Sequence, residues 1–297
     1  GENVYLYRKT YYTPADFDDS RYDPCFSPLV YPGQTLHGSA FLPEYSQEAQ
    51  VSLYVRDAHS GQIYEGVRQE ITKGEWKTLA FQIPALEGAL LDEMGFCFHI
   101  HGVHTQVFDF TGIVDDLYAD GQPEYSLEFA KEREELWTVL HREISQFTKL
   151  KGLMYLEEGQ MHLSCSDFAE AYTGRHDWED YRAEFTFTPL TGENHMVNVR
   201  VQGAIRSYAA GFLPDGRLAI LKNDNGYSVL AQTPFAWEKG REYTIAVTVK
   251  GNEIRAAVED VVLSAVDEVR PYLHGSIGVS LQNGSHDRYR RIRVLKE

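Results

Sequence analysis

The acidic residues at positions 179–184 are the first groups in this chain that could do chemistry. In a β-strand, side chains two or four residues apart project from the same face, so Asp180 and Glu184 would lie together while Glu179 would point the other way. A retaining glycosidase uses two carboxylates about 5 Å apart. We therefore take Asp180 and Glu184 as candidate catalytic residues, and the alternative is that both are solvated acids where a strand begins.

A pair of histidines, His99 and His101, is the second candidate group. The alternation of residues 95–101 places both histidines and Cys97 on one face of a strand, opposite the apolar side chains. Two imidazoles at this spacing suit a transition metal, but a third ligand from His104 would have to return through a turn. We prefer a polar strand face that contacts a ligand, which makes His99 and His101 candidate ligand-binding residues.

Three aspartates near the end of the first half, Asp109, Asp115 and Asp116, could hold calcium. Calcium prefers hard oxygen ligands such as carboxylates. If Val114 and Leu117 are not both in the core, one of the two adjacent aspartates must point inward, and a buried carboxylate needs a cation or hydrogen-bond donors. The sequence therefore predicts a structural calcium site, with a surface acid beside a turn as the alternative.

Aromatic and planar polar side chains of the second half could bind a sugar. Exposed aromatic rings stack on sugar rings, and planar polar groups bind pairs of hydroxyls. The candidate ligand-binding residues of this kind are Trp178, Arg200, Gln202, Arg206 and Tyr208. Arg200 and Gln202 are predicted to share one strand face, and Arg206 and Tyr208 another. Packing between neighbouring strands is the alternative. The same choice arises in the first half for Tyr54, Tyr64 and Trp76.

The elements that would position these groups are strands. In the first half the predicted strands are 35–42, 50–56, 61–70, 76–83, 95–101 and 106–117. In the second half they are 153–157, 160–164, 181–188, 196–202, 208–213, 217–222, 227–231, 243–249, 253–258, 275–282 and 289–295. Turn signals such as Asn283-Gly284 separate them. This length and spacing predict an all-β protein of two antiparallel β-sandwich (jelly-roll) domains with little helix.

The chain is long enough for two domains, since it has 297 residues of which 43% are hydrophobic and 13% aromatic. A polar stretch with Gly and Pro at 119–123 marks the predicted boundary. We predict a first domain at 1–122 and a second at 123–297.

One segment, 127–142, is the best helix candidate. It is rich in Glu, Lys, Arg and Leu, and the pairs Glu132 with Leu136 and Leu136 with Leu140 have helical spacing. The alternative is a strand at 125–129 followed by one or two turns of helix. The rest of the chain offers no comparable helical pattern.

The net charge of −16 bears on the partners. It disfavours nucleic acid and anionic membranes, because there is no basic stripe to offset their phosphates, and it is compatible with neutral sugars and cations. The three cysteines are too sparse for a disulfide framework or a zinc cluster. The chain opens on Gly-Glu and not on Met, which we interpret as a piece of a larger protein, so the sequence leaves its compartment, cytoplasmic or secreted, open.

Three stretches of the first half form a familiar set: VSLYVR at 51–56, GEW at 74–76 and FDFTGIVDDL at 108–117. With them the first half resembles jelly-roll carbohydrate-binding modules, which commonly have a central VSxxVR strand, a GxW strand and a final strand with two adjacent aspartates. The similarity covers roughly the first 120 residues. The resemblance implies a sandwich that binds sugar and often carries a structural calcium near the end of the domain.

The second half resembles concanavalin A-like, laminin-G-like jelly rolls that include keto-disaccharide hydrolase-like domains. The similarity lies in WEDYRAEF at 178–185, the KGNEI hairpin at 250–254, GSIGV at 275–279 and YRRIRV at 289–294. Arg291 stands where those domains more usually have Asn, which is a departure from the hydrolase pattern. Tandem modules of this kind are attached to glycoside hydrolases and to ADP-ribosylglycohydrolase-like enzymes, so a parent catalytic domain is an implied partner.

The function that this reasoning favours is a non-catalytic carbohydrate-recognition or accessory region of a larger bacterial enzyme that processes glycans or ADP-ribose. Two alternatives belong to other classes. One is a glycoside hydrolase that acts through the concave face of the second sandwich, for which two convergent acids are required. The other is a structural module that docks a neighbouring domain and binds no ligand.

Overall fold

The computed structural model describes residues 2–13, 16, 28–101, 110–138 and 141–297 of the chain. Within these ranges the regular elements are all β-strands, which confirms the predicted all-β class. None of the described residues belongs to a helix long and apolar enough to cross a membrane. Contacts divide the chain into unit 1, formed by Gly1–Tyr11 and Pro28–Gly121, and unit 2, whose main part is Gln122–Glu297.

The described residues of unit 1 form nine strands. They are β1 (Glu2–Lys9), β2 (Thr35–Phe41), β3 (Ala49–Asp57), β4 (Ile63–Glu65), β5 (Gln69–Glu70), β6 (Trp76–Gln82), β7 (Leu86–Glu87), β8 (Leu91–Ile100) and β9 (Ile113–Asp120). A five-stranded sheet has the order β1-β8-β3-β4, with β5 also beside β3, and a three-stranded sheet has the order β6-β2-β9. All these pairings are antiparallel.

The two sheets of unit 1 enclose one hydrophobic core. Phe96 and Phe98 of β8 and Leu36 of β2 belong to this core and are fully buried. Burying a side chain of this size contributes about 1.5–3 kcal/mol. Because successive residues of a strand alternate in direction, Cys97 and His99 of β8 lie on the outer face of the five-stranded sheet. The hydrophobic alternation of this strand thus decides which polar groups reach that face.

The described residues of unit 2 form seventeen strands. They are β10 (Tyr125–Glu128), β11 (Glu134–Thr138), β12 (His141–Ile144), β13 (Thr148–Lys151), β14 (Leu153–Glu157), β15 (Gln160–Ser164), β16 (Phe168–Thr173), β17 (Tyr181–Thr191), β18 (Asn194–Gly203), β19 (Arg206–Leu213), β20 (Arg217–Asp224), β21 (Tyr227–Pro234), β22 (Tyr243–Lys250), β23 (Glu253–Val258), β24 (Val261–Val266), β25 (Ser276–Gln282) and β26 (His286–Lys296).

Two antiparallel sheets and one hairpin arrange these strands. The first sheet, called the β17 sheet, runs β14-β15-β26-β17-β22-β23-β24, with β10 also beside β26. The second, called the seven-stranded sheet, runs β13-β16-β25-β18-β19-β20-β21. β11 and β12 pair only with each other among the described strands. Two large facing sheets of this kind are the architecture of a β-sandwich.

Aromatic side chains join the two sheets of unit 2. The ring centroids of Phe187 on β17 and Phe212 on β19 are 5.7 Å apart, and Phe212 lies 5.0 Å from Tyr243 of β22. A hydrogen bond crosses the same interior: His195 Nδ1 lies 2.6 Å from Asp287 Oδ1, and both side chains are fully buried. The interior is therefore a packed aromatic core with a polar link between the sheets.

The predicted helix at 127–142 is wrong. The segment contains β10 and the hairpin of β11 and β12, and no described residue in it is helical. The strand of the alternative interpretation, 125–129, corresponds to β10, but none of the described residues that follow it up to position 142 is helical. Leu136, which would have been on the buried stripe of the helix, is 55% exposed, so the helical spacing marked no core face.

Candidate functional site

The outer face of the three-stranded sheet carries a group of exposed aromatic and acidic side chains around an open cavity. Ser39 of β2, Trp76 of β6 and Asp115 with Asp116 of β9 line a cavity of about 370 Å³. The side chain of Trp76 is 53% exposed, and its ring centroid lies 5.4 Å from that of Phe41 on the neighbouring strand. We call these four lining residues the Trp76 face.

A β-bulge explains how two consecutive aspartates reach the same surface. The pairing of β2 with β9 shifts register between His37 and Ser39, and Asp116 has a positive φ of 53°. The backbone N–H of Asp116 donates to Asp115 Oδ1 at 2.8 Å. Bulges turn side chains away from the regular alternation, so both carboxylates are exposed.

The same bulge bears on the calcium prediction. Val114 and Leu117 both pack against the core of unit 1, so neither Asp115 nor Asp116 is forced into the interior. Asp109, the third predicted ligand, lies outside the described residues. The calcium site therefore stays a prediction. Of its three predicted ligands the structure describes two, Asp115 and Asp116, and both are exposed.

His99 lies in a polar cluster on the outer face of the five-stranded sheet. Its Nε2 is 2.7 Å from Glu65 Oε1, and its Nδ1 is 2.9 Å from Asn3 Oδ1 and 3.9 Å from Cys97 Sγ. Asn3 and Tyr5 of β1 lie directly opposite His99 and Cys97 in the register of β1 with β8. We call these five residues the Cys97–His99 cluster.

Burial governs the protonation of this cluster. Burial lowers the pKa of His99, in opposition to the nearby Glu65 carboxylate, and so favours the neutral ring. Burial also raises the pKa of the Cys97 thiol to about 11. His101, the other predicted ligand-binding histidine, is exposed and follows the last residue of β8. His104 lies outside the described residues.

Arg200 is buried in unit 2 and links several of its backbone segments by hydrogen bonds. Its side chain is 1% exposed, and its guanidinium donates to the carbonyls of Glu179, Gly251 and Tyr272 and to Asp180 Oδ1 at 2.6–3.2 Å. Its backbone N–H donates to the Tyr181 hydroxyl at 2.7 Å. These contacts give Arg200 a structural role, and not the sugar contact that the sequence had predicted.

Tyr208 and Trp178 are also internal. The Tyr208 hydroxyl donates to Asp267 Oδ2 at 2.6 Å and accepts the N–H of Tyr272 at 2.9 Å. Trp178 is buried, with its ring against Gly174, where an added Cβ would lie 2.5 Å from the ring. The surface stacking expected of these two aromatics is therefore not the arrangement found.

Gln202 and Arg206 lie near the same end of unit 2, at the surface. Gln202 Nε2 donates to the His274 carbonyl at 2.9 Å. The exposed Arg206 guanidinium lies over the ring of Tyr272, 4.9 Å from its centroid. The structure therefore does not assemble the five predicted sugar-binding residues of this unit into one exposed site.

The predicted catalytic acids are each held by arginine. Asp180 Oδ1 accepts from Arg200 and from the N–H of Gly251, both at 2.9 Å. Glu184 accepts from Arg182 at 2.9 Å and from Arg293 at 3.4 Å. The carboxylates thus neutralise structural cations, and neither is paired with the other as a glycosidase requires.

The seven-stranded sheet offers no acid pair either. Strand register places Glu170 on its outer face, and Glu170 is the one carboxylate there among the described strands. Burial raises the pKa of Glu170, and Tyr172 donates to its Oε1 at 2.5 Å. Asn198 Nδ2 bonds the Tyr227 hydroxyl at 3.2 Å on the same face. Sequence reasoning missed this network, because Glu170 and Asn198 stand in no recognisable motif.

Comparisons with known proteins give structural likenesses only: no family model matches this chain, and no curated protein does. The carbohydrate-binding module CBM66 from Bacillus subtilis is 14% identical over 49% of this chain and 94% of that one, with a TM-score of 0.44. A lichenase from a mouse hindgut metagenome is 13% identical over 59% of this chain and 99% of that one, with a TM-score of 0.44. The β-glucanase of Bacillus licheniformis is 14% identical over 51% of this chain and 92% of that one, with a TM-score of 0.39.

Proposed function

We propose that unit 1 recognises carbohydrate through the Trp76 face and that the chain is a non-catalytic accessory region of a larger bacterial enzyme that processes glycans or ADP-ribose. The observation that carries the proposal is the exposed Trp76 ring beside a cavity lined by Asp115, Asp116 and Ser39. A sugar ring has an apolar face and a rim of hydroxyls. An aromatic platform next to hydroxyl and carboxylate acceptors matches both parts.

The charges of the site favour a neutral sugar. Asp115 and Asp116 are exposed acceptors in a chain of net charge −16, so an anionic saccharide would be repelled. A neutral sugar can donate its hydroxyls to both carboxylates. Hydrogen bonds to charged groups contribute about 1.5–3 kcal/mol each, and stacking on Trp76 adds to them.

The non-catalytic part of the proposal is supported by the state of the acids. Asp180 and Glu184 each accept hydrogen bonds from an arginine. Glu170 is the one carboxylate among the described residues of its sheet face. A hydrolase in unit 2 would need a second carboxylate beside one of them. The parent enzyme is inferred from the sequence resemblance alone.

Calorimetric titration of the whole chain against a panel of neutral oligosaccharides tests the proposal. We expect at least one saccharide to bind and Trp76→Ala to weaken it tenfold or more, which corresponds to about 1.4 kcal/mol. Tyr7→Ala is the matched control, because Tyr7 is equally exposed, at 54%, but lies on the five-stranded sheet. Absence of binding across the panel, or equal binding by the Trp76 and Tyr7 variants, would refute the proposal.

A further inference from the structure

Four side chains with lone pairs lie next to one another in the Cys97–His99 cluster. His99 Nδ1 lies 2.9 Å from Asn3 Oδ1 and 3.9 Å from Cys97 Sγ, and Tyr5 lies directly opposite Cys97 in the register of β1 with β8. Tetrahedral zinc with bonds of about 2.1 Å to N or O and about 2.3 Å to S separates its ligands by roughly 3.4–3.6 Å. The two measured separations differ from that spacing by about 0.5 Å or less.

The His99 ring presents a lone pair where a metal ion could bind. A neutral imidazole has one N–H and one lone pair. Glu65 Oε1, at 2.7 Å from Nε2, is the acceptor for the N–H, which leaves the Nδ1 lone pair facing Asn3 Oδ1, another acceptor, at 2.9 Å. A metal ion between Nδ1 and Oδ1 satisfies both lone pairs, and so does an Asn3 amide turned to donate its N–H to Nδ1, so the metal titration below separates the two arrangements.

Glu65 has the position of a carboxylate that orients a metal-bound histidine. Ligating histidines commonly donate their second ring N–H to such a carboxylate, which fixes the tautomer and strengthens the ligand. Glu65 is itself held by the Ser52 hydroxyl at 2.8 Å and by Arg68 Nε at 3.0 Å. The ring nitrogen that faces Cys97 and Asn3 is therefore the one whose lone pair can bind a metal.

We propose that Cys97 Sγ, His99 Nδ1, Asn3 Oδ1 and the Tyr5 hydroxyl bind a divalent transition metal, with Zn²⁺ as the best match to this set of donors. Nitrogen and sulfur ligands select zinc over calcium or magnesium, which take oxygen. On binding, the thiol proton passes to solvent and the thiolate becomes the ligand. The site is on the opposite sheet of unit 1 from the Trp76 face and does not depend on sugar recognition.

Titration of chelator-treated whole protein with Co²⁺, followed by competition with Zn²⁺, tests this proposal. We expect one equivalent of Co²⁺ to bind with a thiolate-to-cobalt charge-transfer band and with the visible bands of four-coordinate cobalt, and Zn²⁺ to abolish both. Cys97→Ser should remove the charge-transfer band. Glu65→Gln, which keeps the ligands but loses the carboxylate, should weaken Zn²⁺ binding 10- to 100-fold.

Cys165→Ser is the matched control, because Cys165 is the other free cysteine of the described chain and belongs to unit 2. It should keep both the spectrum and the affinity. Asn3→Ala changes an exposed position on edge strand β1, so the substitution should leave the core intact. We expect it to weaken the binding of Co²⁺ and Zn²⁺. A Cys97→Ser protein with an unchanged cobalt spectrum would overturn the proposal. So would the absence of Co²⁺ binding at millimolar concentration in the folded wild type, because the Asn3 amide would then donate to His99 itself.

Discussion

Unit 1 and unit 2 use the same kinds of side chain in opposite ways. In unit 1, Trp76, Asp115 and Asp116 are exposed around an open cavity. In unit 2, Arg200 and Tyr208 are buried and bonded to backbone and to acids of the same unit. An aromatic or charged residue on a strand is therefore no sign of a binding site until its exposure is known.

The connection between β24 and β25 explains part of this internal use of polar groups in unit 2. Asp267 follows β24 and binds Tyr208, Lys222 and the N–H of Val269. Arg200 holds the Tyr272 carbonyl in the same connection. These bonds fix a segment that has no strand of its own between β24 and β25, because buried backbone groups outside a sheet still need partners.

The largest effect that we expect comes from Arg200→Met. The variant leaves Asp180 and several carbonyls without their donor, and loss of one partner from a buried charged network costs about 3–5 kcal/mol of the free energy of unfolding. Denaturant unfolding of variant and wild type measures it. Arg241→Met is the control, because it removes an exposed pair with Glu259 worth about 0–1 kcal/mol. If Arg200→Met is as stable as the control but no longer binds a saccharide that the wild type binds, Arg200 is a binding residue. The contrast between an exposed site in unit 1 and internal polar groups in unit 2 would then be wrong.

Asp267→Asn should have the next largest effect and should depend on pH. Burial alone would raise the pKa of Asp267, but hydrogen bonds from Lys222 and Tyr208 outweigh it and lower the pKa below its usual value. A depressed carboxyl pKa stabilises the folded state above the unfolded pKa, and this stabilisation is lost as pH falls through the folded value.

We therefore expect Asp267→Asn to cost about 1.5–3 kcal/mol at pH 7, the range for hydrogen bonds to charged groups. The difference from wild type should shrink below about pH 4, where the carboxyl of the unfolded chain takes up a proton, and should vanish once the pH is also below the lower pKa of the folded state. Unfolding curves at pH 7 and across the acid range measure both effects. A difference that stays constant with pH would show that Asp267 acts through packing and not through its charge.

Trp76→Ala should leave stability nearly unchanged. A surface substitution away from caps, networks and the core shifts the free energy of unfolding by about 0.5 kcal/mol or less. Thermal unfolding of the variant without saccharide is the measurement. A loss of 2 kcal/mol or more would show that Trp76 is a packing residue against Phe41, and the contrast between the units would then weaken.

Calcium should have the smallest effect. Two exposed carboxylates make a weak site, and a ligand at a concentration equal to its Kd stabilises the folded state by only about 0.4 kcal/mol. Thermal melts with calcium and with chelator, on wild type and on Asp115→Asn, measure the difference. If the midpoint of thermal unfolding is the same with calcium and with chelator, the calcium prediction is wrong.

Most strands follow from the sequence, because alternation of apolar and polar residues requires only local chain geometry. Segments 153–157 and 160–164 are found as β14 and β15 with the predicted bounds. β1 was missed although Val4 and Leu6 pack on the core of unit 1, because no turn signal sets the segment off from the start of the chain. It matters here because β1 supplies Asn3 and Tyr5 to the Cys97–His99 cluster.

The sequence by itself determined the all-β class, the position of most strands and a set of candidate residues. Only the tertiary structure decided which of those residues are exposed. Register shifts between Val199 and Gly203, where Arg200 has a φ of 50°, break the alternation that had placed Arg200 and Gln202 on one face. Another shift turns Asp115 and Asp116 to the same surface. A bulge depends on how a strand pairs with a partner distant in sequence, so local alternation carries no sign of it.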